Sequence, residues 1–230
     1  MQRLTIAVPV FNERERVERA LKDLLSMPFP LDVEIVVVDD GSWDGTWDIL
    51  NGLALPPSVT LVRHERNRGK GAALRTAIEH ATGDVFVPFD ADLEYDPADL
   101  IRMLQPLTAG EADVVFGTRA FGSHTAFNFW YVVGNKLLNL WVNVLFNCYI
   151  SDLETCFKMV RTDILRSLDL RSNGFDIEAE IAAKLLRAGH RPYEVPIGYK
   201  ARTREQGKKI SWRDGLIAVW TIARIRFAAR

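Results

Sequence analysis

Asp90, Asp92 and Glu94 stand on alternate residues directly after the apolar run Val-Phe-Val-Pro-Phe at 85–89. Alternate side chains of an extended chain share a face. The three carboxylates are therefore expected to converge where the strand ends, provided the backbone stays extended. Gathered carboxylates repel one another unless a cation lies between them. An all-oxygen set favours a hard ion such as Mg²⁺ or Mn²⁺, which usually completes its shell with water and substrate phosphate. This spacing points to a divalent-metal site for a phosphorylated substrate. Helix-start chemistry accounts for part of the stretch, because Asp96-Pro97 precedes Ala98-Asp99-Leu100 and acids favour a helix N-terminus. It explains Asp96 and touches Glu94, but Asp90 and Asp92 come too early for it.

The elements that must position these residues alternate along the chain. A strand at 4–10 leads into a helix over 13–26, with Val17, Leu21, Leu24 and Leu25 on one face. A second strand at 33–38 closes on Asp39-Asp40-Gly41-Ser42, and Asp44-Gly45-Thr46 opens a helix through Leu50 and Leu53. A strand at 59–62 precedes a helix that begins at Gly69-Lys70-Gly71. The acidic strand, a helix over 97–107 and a strand at 113–116 follow. This alternation predicts an α/β fold, a mainly parallel sheet with helices on both faces. Such sheets bind ligands at the carboxyl ends of their strands. Glu13, Asp39, Asp40, Asp90, Asp92 and Arg119 all fall at those ends. Taken alone, Asp40 is equally well explained as a turn cap over Gly41-Ser42.

Composition narrows the classes. A chain of 230 residues with 48% apolar and 26% charged residues fits one globular domain. A net charge of −1 argues against a nucleic-acid partner. Cys148 and Cys156 form no metal-ligand pattern and suit a reducing compartment. The start passes straight into a strand pattern without a signal peptide, so cytoplasmic residence is expected. No Gly-x-Gly-x-x-Gly follows the first strand, and no Gly-x-Ser-x-Gly elbow occurs. Gly69-Lys70-Gly71 lacks the spacing of a phosphate-binding loop. It reads as helix-start chemistry, with Lys70 a candidate nucleotide contact. His64, His80, His124 and His190 are scattered and are assigned surface or core roles.

Three motifs in order carry a resemblance: Val8-Pro9-Val10-Phe11-Asn12-Glu13, Val37-Val38-Asp39-Asp40-Gly41-Ser42-x-Asp44-Gly45-Thr46, and Asp90-Ala91-Asp92. Together they resemble the family 2 glycosyltransferases, and within them the polyprenol-phosphate sugar synthases of the dolichyl-phosphate mannose synthase type. The resemblance runs from the first strand to about Lys209. It implies the nucleotide-diphosphosugar fold called GT-A and sugar transfer with inversion. It places Pro9, Phe11, Glu13 and Asp40 around the nucleotide base and ribose, and Asp90, Ala91 and Asp92 on the ribose and the metal-bound diphosphate; Val38 and Lys70 complete the expected nucleotide-sugar contacts. Glu94 matches a third metal-proximal position that is often Gln in this subgroup, and Phe11 stands where Tyr is common. The implied metal set is Asp90, Asp92 and Glu94, with Mg²⁺ or Mn²⁺.

The second half should choose the acceptor. Arg119 in Gly117-Thr118-Arg119 suits a bidentate grip on a phosphate, and the resemblance places an arginine here near the acceptor. The stretch 126–150 is apolar and aromatic, yet Asn135, Asn139, Asn143 and Asn147 recur every fourth residue, with Lys136 in the same sector. A polar stripe is costly in lipid. An amphipathic helix on a bilayer, on the core or on a partner subunit is expected instead. The subgroup often has a basic pair where this chain has Gly134-Asn135-Lys136. Asp152, in Ser151-Asp152-Leu153-Glu154-Thr155-Cys156-Phe157-Lys158, corresponds to the base or acceptor-orienting group. Asp176 and Glu178 read as helix-start acids. The basic stretch from Lys200 resembles a mobile acceptor loop, with Arg202 and Lys208 as phosphate contacts. Trp212, Leu216, Trp220, Ala223 and Phe227 share one sector of a final helix that suits an interface or packing on the domain.

These expectations divide the chain into a catalytic domain at 1–210, with a donor half at about 1–118 and an acceptor half at about 119–210, and an amphipathic helix at 211–230. The expected catalytic residues are Asp152 and Arg119. Acceptor-phosphate contacts are Arg119, Lys136, Arg202 and Lys208. The expected activity is transfer of mannose or glucose from a nucleotide-diphosphate sugar to polyprenyl phosphate at the cytoplasmic face of a membrane. GDP-mannose is slightly favoured over UDP-glucose. A hydroxyl acceptor, or a nucleotide-sugar-binding partner subunit with little catalysis, remains an alternative. A homo-oligomer or a membrane-protein partner is left open.

Overall fold

Buried aliphatic runs build the sheet, and their alternation assigns its two faces. The computed structural model describes residues 1–124, 129–201 and 211–228. In chain order its elements are β1 (Arg3–Val10), α1 (Val17–Leu25), β2 (Asp32–Asp39), α2 (Thr46–Gly52), β3 (Val59–Arg63), α3 (Lys70–His80), β4 (Val85–Pro88) and α4 (Ala98–Thr108). They continue as β5 (Val114–Thr118), α5 (Phe129–Phe146), β6 (Lys158–Arg161), α6 (Thr162–Ser167), α7 (Ile177–Arg187), β7 (Tyr193–Pro196) and α8 (Trp212–Phe227). Along β1 and β2, Ile6, Val8, Ile35 and Val37 pack with Val17, Leu21 and Leu24 of α1 and Leu100 and Leu104 of α4. Ala7, Val36 and Val38 turn to the opposite face, against Ala73, Leu74 and Ala77 of α3 and the buried side of α7. Both faces are covered, as a mainly parallel sheet requires.

The seven strands run in the order β3-β2-β1-β4-β6-β5-β7. β1 pairs parallel with β2 and β4, β2 with β3, and β5 with β7. β6 pairs antiparallel with both β4 and β5. The carboxyl ends of β1, β2, β4 and β5 therefore lie along one edge, where the polar motif residues were expected.

Two elements depart from expectation. β6 and α6 carry no periodic signal of their own. Lys158 and Arg161 bracket only two apolar residues of β6, and Lys158 is nonetheless fully buried. The apolar helix is α5, and it ends at Phe146, before Asn147, whose φ of 48° leaves the helical region; residues 125–128 lie outside the described residues. On α8 the side packed against the domain is Ala218, Thr221, Ile222 and Ile225. The sector formed by Trp212, Leu216, Trp220 and Phe227 faces outward instead.

Candidate active site

The loops after β1 and β2 are stitched to each other by short polar side chains. Asn12 takes a left-handed φ of 52°. Its N–H donates to Ser42 Oγ at 2.9 Å, and its Oδ1 accepts from the Trp43 N–H at 3.1 Å. The Glu13 N–H donates to Thr46 Oγ1, and Asp44 accepts from the N–H groups of Arg14 and Thr46. Glu13 is buried, and Arg16 pairs with its Oε2 at 3.2 Å. Pro9 and Phe11 are half-buried beside it, whereas the Val38 and Ala91 side chains belong to the core.

Asp40 does not cap its own turn. That role falls to Asp39, whose Oδ1 accepts from the Ser42 N–H at 3.2 Å. The Asp40 carboxylate instead holds the loop after β3. Oδ1 meets His64 Nδ1 at 2.6 Å and accepts from the Arg68 N–H, and Oδ2 accepts from the Gly69 N–H at 2.7 Å. His64 reaches Thr76 Oγ1 with its other nitrogen, which settles its core role. The N-terminus of α3 is likewise taken: the N–H groups of Gly71 and Ala72 donate to the Asn173 carbonyl, at 2.8 and 3.3 Å. A Cβ at Gly71 would stand 2.4 Å from the Ser172 carbonyl oxygen, so this approach needs glycine. Lys70 sends its ammonium to Asp90 Oδ2 at 2.9 Å and to Glu178 Oε1 at 3.1 Å.

The end of β4 corrects the expected convergence of three carboxylates. The chain turns after Asp90 rather than staying extended. Leu93 has φ of 63°, and the Glu94 N–H folds back onto Asp92 Oδ1 at 3.1 Å. Glu94 is buried and accepts a hydrogen bond from Tyr199 OH. Among the described residues, no three His, Cys, Asp or Glu side chains gather to hold an ion. Asp90 and Asp92 stay half-buried at the strand end. Two carboxylates with substrate phosphate completing the shell are a donor set that fits Mg²⁺ or Mn²⁺.

Beyond β5 a second cluster forms. Arg119 Nε and its backbone N–H donate to Asp152 Oδ2 at 2.7 and 3.0 Å, and Nη2 donates to Oδ1 at 2.7 Å. Asn135 Nδ2 adds 2.9 Å to Oδ1. Burial pushes the Asp152 carboxyl up, but the Arg119 charge and these bonds outweigh it and hold the group below its ordinary value. The Arg119 guanidinium also lies 4.9 Å from the centre of the Tyr199 ring.

The asparagine stripe points inward. Asn139 donates to the Ser151 carbonyl at 2.6 Å and accepts from the Leu153 N–H at 2.8 Å. Asn143 exchanges bonds of 3.0 and 2.9 Å with the backbone of Ile150. The polar stripe is thus a scaffold for the loop that carries Asp152. The opposite side of α5 exposes Phe129, Trp130, Leu137, Leu140 and Val144. Lys136 is exposed next to Asn135, and Arg202 and Lys208 lie outside the described residues. Among the described residues, no helix is long and apolar enough to cross a membrane.

Several site residues were misread or missed. Glu178 does lie in the first turn of α7, but it is also buried, and Lys158 Nζ reaches its Oε2 at 2.9 Å. Asp176 accepts from Ser172 Oγ and Thr221 Oγ1, tying the start of α7 to α8. Glu154 carries a buried Oε1 that has no hydrogen-bond partner among the described residues. Burial raises its carboxyl to about 7, with Lys158 and Arg119 pulling it down and Glu178 and Asp152 pushing it up. Buried lysine and paired acids leave no periodic trace in sequence, so nothing marked these positions beyond their place in the 151–158 motif.

Comparison with known proteins gives this geometry its context. The glycosyl transferase family 2 model matches residues 5–169. A dolichol-phosphate mannosyltransferase of Pyrococcus furiosus is 28% identical over 221 residues, covering 90% of this chain and 59% of that protein. A polyprenol monophosphomannose synthase of Mycolicibacterium smegmatis is 29% identical over 242 residues, covering 96% and 88% respectively. A bactoprenol glucosyl transferase of Shigella phage SfX is 39% identical over 122 residues, covering 51% of this chain and 39% of that one. The chain thus spans about three fifths of the Pyrococcus protein and about two fifths of the phage one. Glucosyl-3-phosphoglycerate synthase of Mycobacterium tuberculosis, crystallised with Mn²⁺ and UDP, shares the fold at a TM-score of 0.74 and 18% identity, covering 100% of this chain and 81% of its own. The fold is of the GT-A type, and the chain belongs to glycosyl transferase family 2.

Proposed function

We propose that this chain transfers a hexose, mannose or glucose, from a nucleotide-diphosphate sugar to a polyprenyl phosphate at a membrane surface. The observation that carries this reading is the double face of α5. Asn135 on its inner side touches Asp152 beside the arginine suited to an acceptor phosphate, while its outer side exposes aromatic and aliphatic residues. A phosphate site backed by an apolar surface matches an acceptor with an anionic head and a hydrocarbon tail. The names of the archaeal, mycobacterial and phage relatives support the same acceptor class.

On this reading the donor half spans about 1–118 and the acceptor half about 119–210, with 211–230 as an interfacial helix. Pro9, Phe11 and Glu13 bound the nucleotide, with Val38 and Ala91 offering backbone only. Asp40 acts by holding the loop that brings Lys70 to the diphosphate. Asp90 and Asp92 would hold Mg²⁺ or Mn²⁺, which supplies charge neutralisation to the leaving diphosphate. Glu94 is left out of that set. Asp152 holds Nε and Nη2 of Arg119, leaving Nη1 to meet the acceptor phosphate, with Lys136 at its margin. Asp152 is a poor base, since both its oxygens are engaged and its carboxyl is held below the ordinary value. A phosphate nucleophile is already anionic near neutral pH and requires little proton removal, so positioning carries the rate.

The test is transfer of radiolabelled mannose from GDP-mannose, or glucose from UDP-glucose, to polyprenyl phosphate in the wild type and in Asp92→Asn. The variant should require roughly tenfold more Mn²⁺ or more for half-maximal transfer. Transfer to a soluble hydroxyl acceptor with none to the lipid phosphate would reject the acceptor assigned here.

A further inference from the structure

The reaction proposed above fixes where the transferred sugar must lie. Its anomeric carbon has to stand between the diphosphate, near Asp90 and Lys70, and the acceptor phosphate, near Arg119. Glu154 belongs to the segment that joins the two ends: Asp152, two residues before it, pairs with Arg119, and Lys158, four residues after it, pairs with Glu178 at 2.9 Å. Glu178 leads through Lys70 to Asp90 by contacts of 3.1 and 2.9 Å.

Three polar atoms without partners lie on this segment and on the helix bonded to it. Buried polar groups in folded proteins are nearly always hydrogen-bonded, and an exception points to a missing partner. Glu154 Oε1, Thr155 Oγ1 and Asn135 Oδ1 are all sealed from solvent and unpartnered among the described residues. Asn135 is joined to this loop through Asp152. A carboxylate and an amide oxygen accept, and a threonine hydroxyl does both. A ligand rich in hydroxyl groups satisfies such a set; an apolar one does not.

We propose that Glu154 is a specificity-determining residue for the donor, its carboxyl accepting a hydrogen bond from a hydroxyl of the hexose being transferred. This inference rests on the nucleotide-sugar reading of the site and adds which side chain selects the sugar. Asp152 cannot serve in its place, because its oxygens are taken by Arg119 and Asn135. Raising the Glu154 carboxyl to about 7 by burial is consistent with a group kept dry for a ligand.

Donor binding without any acceptor tests this. Calorimetry with Mn²⁺ would compare GDP, GDP-mannose, UDP and UDP-glucose on wild type, Glu154→Ala and Glu154→Gln. Monodeoxy versions of the tighter sugar nucleotide complete the set. Glu154→Ala should bind the nucleoside diphosphate like wild type but lose about tenfold or more on the intact sugar nucleotide. It should also bind one deoxy analogue as well as the parent sugar, while Glu154→Gln, which keeps an acceptor oxygen, recovers part of the loss. Unchanged binding of every donor by Glu154→Ala overturns the inference and moves Glu154 to the acceptor side. An equal loss on nucleoside diphosphate and sugar nucleotide overturns it as well. If the wild type binds no nucleoside diphosphate with Mn²⁺, the nucleotide-sugar reading itself has failed.

Discussion

Arg119 and Asp152 form a fork-to-fork pair, Nε on Oδ2 and Nη2 on Oδ1, both at 2.7 Å, with the Arg119 backbone N–H closing a third bond. Asp152 is buried and Arg119 nearly so. Breaking one partner of such a pair leaves the other charge without compensation, at a cost of about 3 kcal/mol or more. Asp152→Asn should therefore lower the urea midpoint and raise KM for polyprenyl phosphate by roughly tenfold, with a smaller fall in kcat. An unchanged acceptor KM would show that Asp152 does not position Arg119. The pH sign follows from the depressed carboxyl. The folded value lies below the ordinary aspartate value of 3.8. The stability Asp152 contributes is thus complete above that ordinary value and fades only as pH falls through the lower folded one. Wild type and Asp152→Asn should differ in stability by a constant amount from neutrality down to mildly acidic pH, and converge only in strong acid.

Asn139→Leu tests the inward stripe of α5. Asn139 satisfies both the Ser151 carbonyl and the Leu153 N–H, and it is itself buried. A leucine of similar size leaves two buried backbone groups unpaired, which costs about 2–4 kcal/mol. Chemical denaturation should show that loss with an unchanged m-value. Turnover should fall in folded protein too, because the loop between these bonds carries Asp152. Wild-type stability in the variant would refute the scaffold role.

The outward residues should behave in the opposite way. Trp130 on α5 is 76% exposed and Trp220 on α8 is 68% exposed. Replacing both with serine should leave Tm within about 2 °C of wild type, as surface changes usually do. Co-sedimentation with vesicles containing anionic lipid should drop by roughly tenfold, since buried aromatic area sets interfacial binding. If vesicle binding is unaffected while sedimentation velocity shows a dimer dissociating, the face joins copies of the chain instead.

The sheet was readable because its strands are continuous aliphatic runs and its helices carry apolar residues at helical spacing, as in α1. The order of the polar strand ends was readable for the same reason, and Asp90 and Arg119 do follow the ends of β4 and β5. Glu94 was misplaced because alternation holds only while the chain is extended, and the left-handed Leu93 breaks it. The asparagine stripe was visible, but its direction was not. Which side of an amphipathic helix meets the domain depends on what the domain offers, and here it offers the unpaired backbone of 150–153. Lys158 was hidden for a related reason. A lysine is expected at the surface, and only a tertiary partner such as Glu178 makes its burial tolerable.

Among the described strands β6 alone is reversed, and this separates the two strand ends on either side of it. Neighbouring strands lie about 4.8 Å apart, so its insertion spreads β4 and β5 to roughly twice that distance. Asp90 follows the end of β4 and Arg119 follows the end of β5, so the reversed strand holds these two side chains on separate strand tips. Because β6 runs backwards, the peptide entering it arrives at that same rim, which brings the segment from Ser151 to Phe157, with Asp152 in it, to the strand tip that carries Arg119.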